Sequence, residues 1–242
     1  NKSQNIDLIK LSGSRTWLAF AICFLPILLG FIVPSGMLLY WSITTAESNW
    51  NSDFFGLAWN SFTLAFITAL VTISISVFLA YAKRVTGSQK VKQSVTLAHL
   101  GYAIPGTVLA IAILIPLAWL DEIINNFMTN QFELSTGLLL SGTLFALVLA
   151  YSIRFLSVAL QSIESGLQSI KPTIDDSAKT LGASNWYIIG RIHLPLMRTS
   201  LLTAMILVFV EVLKELPTTL ILRPFNFDTL SIRAYEMASD ER

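Results

Sequence analysis

Long apolar stretches decide what this chain can fold into. Five of them run approximately from Trp17 to Ile43, Ala58 to Ala82, Val95 to Leu120, Thr136 to Ala159 and Ser200 to Leu222. A helix rises about 1.5 Å per residue and the hydrocarbon core of a bilayer is about 30 Å thick, so about 20 apolar residues cross it. Each stretch meets that length. Backbone N–H and C=O groups find no water in lipid, so a helix, which pairs them within its own segment, is the structure such runs adopt. A β-barrel would show alternating segments of about 10 residues, and the sequence has none. The expected fold is an all-α polytopic transmembrane helical bundle with five spans present.

The few charges orient that bundle. They make up 13% of the 242 residues, with a net charge of +1 that says little by itself. Basic residues mark the cytoplasmic side. They gather at the head of the chain (Lys2, Lys10, Arg15), between the second and third spans (Lys83, Arg84, Lys90, Lys92) and after the fourth (Arg154, Lys171, Lys179, Arg191, Arg198). The alternate connections carry Glu47 and Asp53, then Asp121, Glu122 and Glu133. The N-terminus and the 159–199 region are therefore expected in the cytoplasm, with Trp17, Trp41, Trp50, Trp59 and Trp119 as interfacial anchors.

Residues 1–15 read as a polar cytoplasmic connector and 16–242 as the transmembrane domain. The polar tail from Arg223 to Arg242 stops without a further apolar block, so a sixth helix is expected to be missing. The first apolar block is too long for a cleavable signal peptide. Pro26, Gly30, Pro34 and Gly36 interrupt the first span, and Gly101, Pro105, Gly106 and Pro116 the third. Such residues serve either ordinary helix packing or a gating hinge. Cys23 stands alone in an apolar block, and His99 and His193 lack ligand spacing, so no metal site is expected.

The cytoplasmic stretch Lys171–Arg198, KPTIDDSAKTLGASNWYIIGRIHLPLMR, reads as two short helices with a turn between them. Thr173 is expected to cap the first with Asp176 three residues on, and Asp175 and Asp176 suit its positive end. Gly182 falls where that helix should stop in a left-handed conformation. Ser184 can cap the second helix, and Pro195 marks the turn back toward the membrane.

In that stretch Asp176-Ser177-Ala178, three residues, Gly182, nine residues, Ile192, one residue and Leu194-Pro195 match a known spacing. It resembles the cytoplasmic signature of binding-protein-dependent ABC importer permeases, Glu-Ala-Ala-x3-Gly-x9-Ile-x-Leu-Pro, with Asp176 in place of Glu and Ser177 in place of the first Ala. The resemblance implies that this loop seats in a cleft of an ATP-hydrolysing subunit and passes its closure to the spans. Ala178 and Gly182 would allow close approach, and Ile174 and Leu181 would supply apolar contact. No glycine here is followed by lysine, so the chain lacks the Gly-x4-Gly-Lys-Ser/Thr phosphate loop. The expectation is a non-catalytic subunit with no cofactor of its own, ATP being bound by separate ATPase subunits. The other implied partners are a periplasmic or lipoprotein substrate-binding protein, a second permease half (fused or separate) and the lipid of a bacterial inner membrane. Nucleic acid is not among them.

Two further stretches, GYAIPGTVLAIA from Gly101 to Ala112 and VFVEVLKELPTTLILRPFNFDTLSIRAYE from Val208 to Glu236, look like the ferric-iron branch of these permeases, and like the second half of a two-half chain. The same permease type for a polyamine, thiamine or an oxyanion is the alternative. An ion-coupled carrier or a membrane scaffold would leave the 176–195 signature unexplained.

Within the fifth span Glu211, Lys214 and Glu215 are spaced to share one helical face. Charge there is costly and marks function by default. Lys214 can neutralise Glu211, leaving Glu215 for a partner on another helix. The three are either waypoints on the translocation path or an internal ion pair that orients the helix. Beyond them Arg223, Asp228, Arg233 and Glu236 are candidates for contact with the binding protein, the alternative being that the next helix turns back beneath them.

Overall fold

The computed structural model describes residues 12–44 and 52–240. Lys2, Lys10, Glu47, Trp50 and most of the 1–15 connector lie outside the described residues. The chain divides into two compact units near Phe54. Among the described residues there are helices and turns but no strands, and four helices are long and apolar enough to cross a membrane.

The first unit carries α1, Ser14–Thr44, 31 residues long. Its middle, Leu28–Ile32, widens into a π-turn, with the Val33 amide reaching back to the Leu28 carbonyl. The cause is Pro34, which has no N–H to donate and whose ring would crowd the carbonyl four residues earlier, at Gly30. Widening the turn absorbs both defects without breaking the span.

The second unit contains the other nine helices among the described residues. They are α2 (Ser52–Thr86), α3 (Gln89–Ala98), α4 (Gly106–Phe132), α5 (Leu144–Ser169), α6 (Pro172–Thr180), α7 (Asn185–Leu196), α8 (Arg198–Leu213), α9 (Pro217–Leu222) and α10 (Leu230–Ser239). Helix α5 is the centre, packing against α3, α4, α8, α9 and the 3-10 turn Gly101–Ala103. Its buried side chains Leu147, Ala150, Tyr151, Phe155, Ala159, Leu160, Ile163 and Leu167 recur at steps of one, three and four, the spacing of one helical face. Leu64 and Ala65 from α2, Leu109 and Ile113 from α4, and Ala204 and Val208 from α8 complete the core.

The second span lengthens at both ends, to Ser52–Thr86, and the last three spans move from their expected places. The third crossing is α4, which starts at Gly106, because the chain from His99 to Pro105 leaves the α-helix before the run resumes. It also continues to Phe132, so Asp121 and Glu122 sit inside a helix rather than in a connection. The fourth crossing starts at Leu144 and ends at Ser169, which places Arg154 in mid-span. Arg154 is therefore no loop cation. The fifth stretch is broken at Lys214–Leu216, since Pro217 opens a new helix and cannot donate to the old one. Alone, α8 reaches about 24 Å, so the crossing draws on α9 or on the bent pair Asn185–Leu196 and Arg198–Leu213, whose axes meet at 78°.

Asp121 explains why α4 and the start of α5 hold together. Its buried carboxylate accepts the amides of Leu139 at 3.1 Å, Leu140 at 2.8 Å and Ser141 at 2.8 Å, and the Ser141 hydroxyl at 2.6 Å. Charge-assisted bonds of this kind contribute about 1.5–3 kcal/mol each, and removing the acceptor leaves the donors buried and unpaired. Asp121→Ala should lower the thermal midpoint of the detergent-solubilised protein by several degrees, while Glu122→Ala, on the exposed side of the same turn, should leave it unchanged.

Candidate functional site

The signature stretch forms a bent, structured loop, α6 and α7. Its first cap differs from expectation. Helix α6 begins with Pro172 at its first turn and Lys171 as N-cap, and no side chain caps it. Thr173 lies inside the helix, where its carbonyl accepts the Ser177 hydroxyl at 2.8 Å. Pro172 displaces it, because a proline with φ already helical and no N–H to satisfy suits the first position best.

The helix ends as the sequence implies. Gly182 has φ of +83°, its amide donates to the Lys179 carbonyl at 2.9 Å, and the Ala183 amide donates to Ala178 at 3.0 Å. This pair of bonds is the Schellman closure, which strains any residue bearing a Cβ. Open space surrounds the position where a Gly182 side chain would start. Ser184 caps α7 by accepting the Tyr187 amide at 3.3 Å. The reversal itself falls at Met197, two residues after Pro195. Pro195 instead sits behind a second π-turn, Ile188–His193, which relieves the proline as in α1.

Of the predicted loop residues, Ile174, Asp176, Ser177 and Pro195 are exposed, Ile192 and Leu194 are half-buried, and Ala178 is buried against the chain itself. Leu181 is 88% exposed. Trp186 and Tyr187, which the sequence reading passed over, are also exposed, so the loop presents a row of apolar side chains outward.

Behind that row lies a half-buried charge network that the sequence alone did not suggest. Asp175 accepts Arg84 Nε at 2.7 Å on one oxygen and pairs with His193 Nε2 at 2.7 Å on the other. Arg84 also donates to the carbonyls of Leu167 and, at 3.0 Å, Ile170. Burial pushes the Asp175 carboxyl upward, but the hydrogen bonds and charges of Arg84 and His193 outweigh it and hold the group below the usual carboxylate range.

A second site lies within the spans. Lys214 pairs with Glu211 at 2.7 Å, as the spacing predicts, and Tyr102 donates to the other Glu211 oxygen at 3.3 Å. Glu215 does turn to another helix. Its carboxylate stands 3.5 Å from Arg154 Nε, close enough for ion pairing though not aligned for a hydrogen bond. It also accepts the Thr218 hydroxyl at 2.6 Å. Arg154 Nη1 donates to the Ile104 carbonyl at 2.7 Å, so one guanidinium joins both places where helices break. The three charges do not share one helical face, because α8 ends at Leu213. Gly106 closes the site: a Cβ there would stand 2.5 Å from Glu215 Oε1 and 2.7 Å from Thr218 Oγ1.

Arg223, Asp228, Arg233 and Glu236 form their own cluster. Arg223 pairs with Asp228 and stands 3.9 Å from Glu236, which lies 3.6 Å from Arg233. Phe225 in the intervening turn is 99% exposed, a feature no sequence pattern signalled. Between α5 and α8 runs a groove of about 390 Å³ lined by Gln161, Ser162, Ser165, Thr199, Ser200 and Thr203.

Residues 90–238 match the family described as binding-protein-dependent transport system inner membrane component. The chain belongs to that family. The matched stretch contains both sites except Arg84, which precedes it. An Fe(3+)-transport system permease protein, FbpB 2, of Haemophilus influenzae is 28% identical over 233 residues, covering 95% of this chain and 43% of its own length. A Salmonella typhimurium protein provisionally named 2-aminoethylphosphonate transport system permease protein PhnV is 25% identical over 211 residues, 85% of this chain and 70% of that one. This transport component therefore spans less than half of the first relative and most of the second. Among solved structures, a bacterial alginate ABC transporter, in complex with alginate pentasaccharide-bound periplasmic protein, superposes with a TM-score of 0.67 at 19% identity. That match covers 94% of this chain and 85% of the other, and it shows a shared fold.

Two measurements test these sites. Removing one partner of a buried ion pair costs about 3–5 kcal/mol, whereas replacing both by apolar groups costs far less. Arg154→Met should therefore lower the thermal midpoint more than Arg154→Met combined with Glu215→Leu. At the loop, the folded Asp175 carboxyl titrates below its unfolded value of about 4, so its contribution is present above that pH and is lost as pH falls through the folded value. Asp175→Asn should show a shallower loss of stability than the unaltered protein as pH falls below about 5.

Proposed function

We propose that this chain is a transmembrane half of an ATP-driven, binding-protein-dependent importer, and that its cargo is ferric iron. The α6–α7 loop carries the reading. Its signature spacing is intact, its turn is closed at Gly182, and Ile174, Leu181, Trp186 and Tyr187 face outward as a docking surface would. ATP is hydrolysed by a separate subunit, into which this loop seats from the cytoplasmic side. Closure of that subunit pushes on α6 and α7, and the 78° bend at Met197 turns the push into α8.

Ferric iron is favoured by the likeness to the Fe(3+)-transport permease over nearly the whole chain. The weaker likeness to the phosphonate permease supports an oxyanion as the alternative cargo. The second half of the assembly would supply the rest of the path, either as part of the same longer chain or as a separate subunit. Along this half the path follows the hydroxyl-lined groove between α5 and α8 and passes Glu211 and Lys214. Glu215, engaged by Arg154 and Thr218, serves to hold the helix break rather than to meet the cargo. Arg223, Asp228 and Arg233, with Phe225 at their edge, face the loaded binding protein.

The test is uptake of radiolabelled ferric iron by cells making the intact permease with its binding protein and ATPase. Uptake should require ATP and should fall to background with Gly182→Arg at unchanged permease abundance. Normal uptake by that variant would remove the docking role, and ATP-dependent uptake of phosphonate without iron would replace the cargo.

A further inference from the structure

The last two turns of α2 touch both limbs of the signature loop. Arg84 Nε holds Asp175 of α6 at 2.7 Å, while the Tyr81 hydroxyl donates to the Asn185 carbonyl of α7 at 3.2 Å. A spacing of three puts Tyr81 and Arg84 on one face of α2. Asp175 passes the tie onward through its second oxygen to His193, whose ring packs edge-on against Tyr81 at 5.5 Å between centroids. Arg84 also donates from Nη1 and Nη2 to the Leu167 and Ile170 carbonyls at the end of α5. Two helix ends, those of α2 and α5, and the loop therefore meet at one planar guanidinium.

We infer that Arg84, Tyr81 and Asp175 are positioning residues that make α2 a second receiver of loop motion beside α8. The proposal rests on the docking reading of α6–α7 given above. Its physical basis is stiffness. A guanidinium binds through a rigid fork with several donors in fixed directions. The Arg84 and Asp175 side chains are only 17% and 14% exposed, so salt screens their attraction less than at an open surface. The loop cannot shift relative to α2 without breaking these bonds together, so a shift imposed on the loop carries α2 with it. The outward-facing Leu181 takes no part in this tie, which separates contact with the ATPase from transmission into the bundle.

The experiment uses the full transporter in lipid nanodiscs with Cys23 replaced by alanine. Spin labels at Leu70→Cys on α2 and Ile115→Cys on α4, both exposed positions, report the distance between those helices with and without ATP trapped in the ATPase. In parallel, Leu181→Cys is cross-linked to the ATPase to report docking. In the otherwise unaltered assembly ATP should shift the label distance. Arg84→Gln and Asp175→Asn should each abolish the shift with cross-linking yield within about twofold of the parent, and the double variant should behave like either single one, as members of one strut do.

Persistence of the shift in both single variants would overturn the proposal. So would loss of cross-linking in them, because Arg84 would then shape the docking surface instead of transmitting from it. Failure of the unaltered assembly to cross-link would overturn the docking reading itself, and the strut with it. Cross-linking without any ATP-dependent shift would leave docking standing and overturn the strut alone.

Discussion

Arg154 is the side chain on which two breaks in the membrane helices depend. Helical backbone satisfies itself in lipid, and a break releases polar groups that must find partners inside the protein. The break before α4 exposes the Ile104 carbonyl, and Arg154 donates to it. The break between α8 and α9 frees the Glu215 carbonyl, which accepts the Thr219 and Ser231 hydroxyls, and places the Glu215 carboxylate beside the same guanidinium. A lone arginine at this depth would be expensive. Here its charge is matched by Glu215, and its cost is offset by the backbone it satisfies. Gly106 is the geometric condition for all of this, because a side chain there would occupy the space where Glu215 and Thr218 meet.

The prolines of α1 and α7 are accommodated by a different route. Pro34 and Pro195 each follow a π-turn that ends two residues earlier, at Ile32 and His193. The widened turn takes up the missing donor and the ring without releasing the helix. Side-chain partners are needed where the chain unwinds, as at 99–105 and 214–216, and are not needed where it only widens. That difference leaves α7 continuous through its signature residues, so a displacement at Trp186 is carried along one helical segment to the bend at Met197.

The spans were legible because length and apolarity fix them without reference to anything distant. Gly182 and Ser184 were legible for the same reason, since their roles depend on the local backbone alone. Arg154 was misread because its meaning lies in Glu215, 61 positions away, and a basic residue near the end of an apolar run looks like a loop cation. Asp121 failed likewise: its partners are amides at 139–141, and backbone donors leave no mark in a sequence. Thr173 was a plausible cap until Pro172 took the first turn. The Lys214–Glu211 pair was readable as a local spacing, whereas the helix break after Leu213 had to be read from Pro217 and was not.

The two charged sites are joined by one rigid element. From Arg154 to Leu167 helix α5 runs 13 residues, about 20 Å, with buried side chains along its whole inner face. Arg84 grips its end near the loop, and Arg154 grips the broken helices near its middle. A continuous, well-packed helix resists bending, so motion at the loop end is not absorbed within α5. It emerges where the packing partners are discontinuous, at the unwound segments around Ile104 and Glu215. The membrane-buried arginine thus sits where the fold is able to yield, and the arginine that ties α2 to the loop where it is not.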